Sequence, residues 1–251
     1  MRLAPLDVIV GQALDFSLSE DYPAAGFTTG NFSPITPGTI IKAAPIDGID
    51  TGTNVPNWGL SELVFVMNTG AAITPGTLVT LDKDFVMTAA ASTVGTGRPL
   101  FVALTNFAAG STIRQGGWVM ASGIAPVTFS VAATAGALYL GTAGNATPTA
   151  AAGKQILNAT TLIAAASAFT RTVTTRNGSA EIRIARSNGL FRGLTVSGTG
   201  ISGTVSSIDP SGTSFTLSAN ASASGTVTAT FTPTGFGIVQ LSRPFGQGQI
   251  T

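Results

Sequence analysis

The chain has 251 residues, 44% of them apolar, which is enough for the core of one large or two smaller domains and excludes a disordered chain. Charged residues make up only 9%, against roughly 25% in an ordinary soluble domain, and the net charge of +1 gives no field to steer the chain toward nucleic acid or an acidic membrane. His and Cys are both absent, which excludes disulfides, thiolate and imidazole chemistry and nearly every zinc or iron site.

Along the chain, MRLAPLDVIVGQALDF comes first, and Pro5 and Asp7 interrupt its apolar run. It therefore does not read as a signal peptide, and a soluble chain without a targeting segment is expected. Residues 1–34 read as an extended N-terminal arm. They show neither helical nor strand periodicity, yet Phe16, Tyr22, Phe27 and Phe32 are spaced along a Gly- and Pro-rich track. Aromatic rings need burial, so this arm either folds back on its own core or lies on a neighbouring subunit or partner.

The strand pattern begins at residue 35. ITPGT occurs at 35–39 and again at 73–77, each time followed by a β-branched or apolar run. Pro sets φ at the second turn position and Gly supplies positive φ at the third, so both predict type II turns feeding equivalent strands. The segment 133–140 reads as a degraded third unit, with Ala-Gly in place of Pro-Gly. LSELVFVMNTG (60–70) turns fully apolar, as a strand buried on both faces would. RPLFVALTNF (98–107) and GGWVMASGIAPVTFSV (116–131) are further strands. Residues 115–153 carry no charge, but Gly116, Gly117, Gly123, Pro126 and Gly136 suit strands better than a membrane-spanning helix. ATTLIAAASAF (159–169) predicts a short helix from its Ala content.

A second texture follows. Residues 170–232 are a run of short strands joined by NGS, SNG and DPSGT turns. They hold five Arg (171, 176, 183, 186 and 192) against Glu181 and Asp209, a net +3, which leaves seven basic and nine acidic residues elsewhere, a net −2. GIVQLSRPF in the tail returns to the earlier style and is expected to pair with GRPLFVALTNF. The expected fold is therefore all-β. A β-barrel or sandwich-like core domain (35–169 plus 233–251) carries the arm 1–34 and a second small β-sandwich-like module (170–232) inserted before the last strand.

Few constellations of residues could carry chemistry. Ser is abundant, but no His can serve as a base, and no Lys stands in an S-x-x-K-like context. Asp82 and Asp84 flank Lys83 and read as a solvated turn rather than a catalytic carboxylate pair. DGIDTGTN (47–54) lacks the alternating ligands and closing Glu of a calcium loop. No glycine doublet opens a strand–turn–helix phosphate site. On strand 181–186, Glu181 and Arg183 alternate with Ile182 and Ile184 and point to solvent, and the aromatic platforms of single-strand nucleic-acid binders are missing. Of the two Trp residues, Trp118 reads as core. Trp58, in the loop NVPNWGL, is the interface candidate. These residues predict no enzyme, no cofactor, no metal, no nucleic acid and no membrane.

ITPGTLVTLD, GGWVMASGIAPVTF and ATAGALYLGTAGNATP resemble the turn-and-strand units of tailed-bacteriophage capsid decoration (cement) proteins. The inserted LFRGLTVSGTGISGTVSSIDPSGTSFTLSANASASGTVTATFT is similar to β modules of phage tail and capsid proteins. The resemblance spans roughly 35–150 and 190–232, while the aromatic arm and the insertion depart from it. It implies a homotrimer on the outer surface of the virion's capsid, bound to the major capsid protein, with no catalytic residues to carry over. Phe16, Tyr22, Phe27, Phe32 and Trp58 are then the candidate capsid or subunit contacts. The rival class is a phage tail or fibre protein that binds a host-surface glycan.

Overall fold

The structure, a computed structural model, describes residues 3–5, 20–22, 35–45, 55–92, 97–109, 114–164, 167–209 and 211–247. The arm contributes β1 (Leu3–Pro5) and β2 (Glu20–Tyr22). The body then runs β3 (Ile40–Pro45), β4 (Ser61–Asn68), β5 (Leu78–Leu81), β6 (Met87–Ala89), β7 (Phe101–Ala103), β8 (Arg114–Thr128), β9 (Tyr139–Leu140), β10 (Ala146–Thr147) and β11 (Ile156–Ile163). The inserted segment holds β12 (Phe169–Thr175), β13 (Glu181–Ile184), β14 (Thr195–Gly198), β15 (Ile201–Ile208), β16 (Ser214–Leu217) and β17 (Gly225–Thr232), and β18 (Phe236–Gly246) closes the chain. One 3-10 turn at Thr142–Gly144 is the only helical element among the described residues.

The body is a mixed-length antiparallel sheet ordered β1-β3-β4-β8-β7-β5-β6, with β2, β11 and β18 joined at its side. Its axis is β8, 15 residues long, whose first half pairs with β4 and second half with β18. The two ladders overlap at Ser122, which pairs with both Glu62 and Ser242, and the next residue, Gly123, has φ +124° and a position where a Cβ would stand 2.5 Å from the Ser61 hydroxyl. Side chains alternate between two buried layers, as the apolar run of β4 requires. Leu63 and Phe65 join Trp118 and Met120 on one face, and Val64 and Val66 join Val119 and Phe107 on the other.

Both ITPGT segments form the expected turns. Thr39 N–H donates to Thr36 O at 3.0 Å and Thr77 N–H to Thr74 O at 3.2 Å, with Gly38 at φ +88° and Gly76 at φ +83°. The turns are also used alike. Gly38 N–H donates to Phe65 O while Phe65 N–H donates to Thr39 O, and Gly76 and Ala103 repeat that exchange through Thr77 O. The strands they feed, β3 and β5, therefore sit at matching places on either side of β4-β8-β7.

One expectation is corrected and a second holds in part. Residues 159–163 of the expected 159–169 helix lie in β11 instead, where Ala159, Thr160, Thr161 and Ile163 pair with β18. Tertiary pairing of β-branched Thr and Ile outweighs the local helix preference of Ala. The expected pairing of the tail with the 98–107 strand forms over one short stretch, an antiparallel Pro99–Phe245 bridge flanked by bonds from Leu100 N–H to Pro244 O and from Gly246 N–H to Arg98 O, while the main ladders of β18 run with β8 and β11.

The inserted segment closes on itself as a six-stranded antiparallel barrel ordered β12-β13-β16-β15-β14-β17. Alternation along most of its strands drives this closure. Phe169, Val173, Ile182, Val205, Phe215 and Phe231 are buried inside, while Thr170, Thr172, Thr174, Glu181 and Arg183 are exposed outside. Phe231 stacks on Phe169 at 5.3 Å and meets Phe215 edge-on at 5.7 Å. The chain leaves the body along β11 and returns along β18, and these two strands are hydrogen-bonded neighbours. The barrel is thus inserted between paired strands, like an overgrown hairpin loop.

Candidate interaction surfaces

Of the arm's aromatic residues, Phe16, Phe27 and Phe32 lie outside the described residues. Tyr22 ends β2, whose backbone pairs with β8 at Arg114. Both described pieces of the arm pair within the same chain, β1 with β3 and β2 with β8. Trp58 is 5% exposed and packs edge-on against Phe191 at 6.2 Å. Phe191 in turn meets Phe236 at 5.1 Å, and all three belong to the cluster that also fills the barrel. The indole ring thus forms the joint between body and barrel. Arg192 fastens the same joint by donating to the Thr105 hydroxyl at 3.1 Å.

The charged tip after β5 is a braced loop. One Asp82 carboxylate oxygen accepts the backbone N–H groups of Asp84 and Val86, both at 2.9 Å. The Lys83 ammonium donates to the Asp84 carboxylate at 2.8 Å, and that bond is the main cause holding the lysine pKa above its ordinary value. The carboxylates are committed to the loop's own geometry. DGIDTGTN (47–54) lies outside the described residues, and among those described no group of three or more acidic side chains could hold a metal. Arg243, left-handed at φ +51°, forms a bidentate pair with Glu62 at 3.1 and 2.9 Å, and this raises the arginine's pKa further. The pair ties β18 to β4 where β8 changes partner.

The large exposed apolar side chains are unevenly placed. The large apolar side chains left exposed among the described residues, Ile40, Leu60, Phe85, Val131 and Leu162, all belong to the body. The barrel instead presents hydroxyl groups. Thr170, Thr172 and Thr174 of β12 stand opposite Thr230, Thr228 and Thr226 of β17. The row continues from Thr230 to Ser197 and from Ser197 to Ser202. The alternating TRTVT and TVTATFT phrases were a visible signal for this array.

Beside the Thr ladder, the barrel wall carries an open groove of about 630 Å³. Thr172 and Thr174 form one side, Glu181 and Arg183 the floor, and the β15–β16 connection with Asp209, Ser211 and Thr213 the other side. That connection is internally braced. The Asp209 carboxylate accepts the Ser211 N–H at 2.7 Å, and the Ser211 and Thr213 hydroxyls lie 2.7 Å apart. Sequence reading placed Glu181 and Arg183 on the solvent face but missed the groove, because its walls come from three separate segments.

Fold and surfaces together define an all-β protein with a sheet body and an inserted hydroxyl-faced barrel. No family model matches the chain, nor does any curated protein or solved structure. No helix among the described residues is long and apolar enough to cross a membrane.

Proposed function

We propose that the chain is a structural, non-enzymatic protein of a virus particle. In this reading it is a decoration (cement) protein that sits as a homotrimer on the outer surface of a tailed-phage head and stabilises the major capsid protein lattice. The observation that carries this reading is the placement of the large exposed apolar residues, which all lie on the body, while the barrel's outer face carries a Thr ladder. Such a division suits a body set against a protein shell and a barrel directed to water. The resemblance of the ITPGT-type units and of the inserted segment to phage structural modules supports the same assignment. Stabilisation then works by mass action, since a partner that binds only the assembled lattice shifts assembly toward it. Repetition over the lattice adds avidity. Phe16, Phe27 and Phe32 are proposed to add contacts with the shell or a neighbouring copy.

Protein gels of purified virions test the reading through copy number. Hundreds of copies, lost together with capsid stability when the gene is deleted, are expected. A few dozen copies confined to the tail would sink it in favour of the tail-fibre class. Light scattering of the recombinant chain at micromolar concentration should give three times the monomer mass.

A further inference from the structure

We infer that the groove on the barrel wall is a binding site for a neutral oligosaccharide, a site separate from the surface proposed to meet the capsid. The volume of about 630 Å³ lies in the range of small-molecule sites, which run from roughly 300 to 1,000 Å³. Its lining selects the chemistry. Glu181 and Arg183 project from the same face of β13, two residues and so roughly 6.8 Å apart. That is the spacing of their Cα atoms, and side chains rising from one face in this way present a carboxylate and a guanidinium as acceptors and donors for sugar hydroxyl groups. Neither side chain is tied up in a hydrogen bond or ion pair with other described residues. Thr172, Thr174 and Thr213 add hydroxyls that donate or accept as needed.

Other ligand classes fit less well. Two carboxylates against one guanidinium repel phosphate, sulfate and nucleic-acid backbones. A closed barrel has no free strand edge, so an extended peptide cannot join by β-addition. No lining residue is aromatic, so a sugar would be held edge-on through its hydroxyls rather than stacked. The site is also preorganised, with its floor on a strand and its far wall braced by the Asp209–Ser211 and Ser211–Thr213 bonds. The Thr170–Thr230 ladder runs on from one wall and would let a longer glycan continue across the barrel.

Amide NMR of the full chain titrated with maltotriose, cellotriose and chitotriose, each to about 10 mM, tests the inference at the weak affinities such a site supports. At least one probe should shift the amides of 172–174, 181–185 and 211–214 while leaving the body unmoved. Arg183→Ala and Glu181→Gln should each weaken that response about tenfold, with the remaining spectrum unchanged. Silence at those amides with all three probes overturns the inference, as does a response equal in both variants. A heparin fragment that binds the groove more tightly than the neutral probes would also overturn it. The titration uses isolated protein, so its outcome is independent of the copy-number test on virions.

Discussion

At the scale of single residues, the two turn glycines look interchangeable in sequence but differ in their surroundings. A Cβ at Gly38 would stand 2.4 Å from the Phe85 ring and one at Gly76 2.8 Å from the Phe236 ring. Phe85 is 38% exposed and can swing away, whereas Phe236 is 8% exposed and wedged in the joint. Gly38→Ala should therefore cost about 1–2 kcal/mol, the left-handed backbone penalty. Gly76→Ala should cost about 3 kcal/mol, because overpacking adds to that penalty. Urea melts of the two variants check the order, and equal midpoints would contradict it. Trp58 allows a second comparison, since its indole N–H is buried and makes no hydrogen bond. Trp58→Phe removes that unpaired donor and should cost about 1 kcal/mol or less, while Trp58→Ala should cost about 3–5 kcal/mol. At the tip of the β5–β6 hairpin, Asp82→Ala should lower the melting temperature, because two backbone N–H groups lose their acceptor. Asp84→Asn, which loses only an exposed ion pair, should leave it nearly unchanged.

At the scale of elements, what was legible in the sequence was what local chemistry decides. Pro37-Gly38 and Pro75-Gly76 specify their turns within four residues, and the structure forms both with the expected positive φ at glycine. The alternation in 181–184 likewise announces a strand with one buried face, because period two is a local property. What could not be read was set by distant partners. β11 carries an Ala- and Leu-bearing segment that suggests a helix, and only its ladder with β18, about eighty residues further on, makes it a strand. For the same reason only the short Pro99–Phe245 contact of β18 was legible, and its long ladder with β8 along Phe236–Ser242 was not. Trp58 was recognisable as an anchor, but not that its pocket is made by Phe191 of the same chain. The groove depends on β12, β13 and the β15–β16 connection meeting in space, so only the Thr alternation on one wall was visible beforehand.

At the scale of the whole molecule, body and barrel share one apolar cluster. Val55, Trp58, Phe236 and Ile238 from the body pack with Phe191, Leu194 and the barrel interior. A barrel of this size buries little area by itself and leans on that joint. Scanning calorimetry of the full chain should accordingly show a single cooperative transition. Trp58→Ala should split it, with the barrel melting first. Two transitions in the unaltered protein would mean that the joint contributes little.

The neck formed by β11 and β18 has a mechanical consequence. Both strands enter the barrel from the same end of their ladder, where Ile163 faces Ile238. Drag on the barrel would thus load the ladder from one end and break its bonds one pair at a time, the weak direction for a β pair, whereas pulling along the strands would load them together. β18 is backed by β8 along Phe236–Ser242, so β11 is the strand that peels. Under force the Trp58–Phe191–Phe236 joint would have to give way before the neck is loaded at all. The headpiece would then yield as a fuse, leaving the seven-residue β8–β18 seam of the body intact.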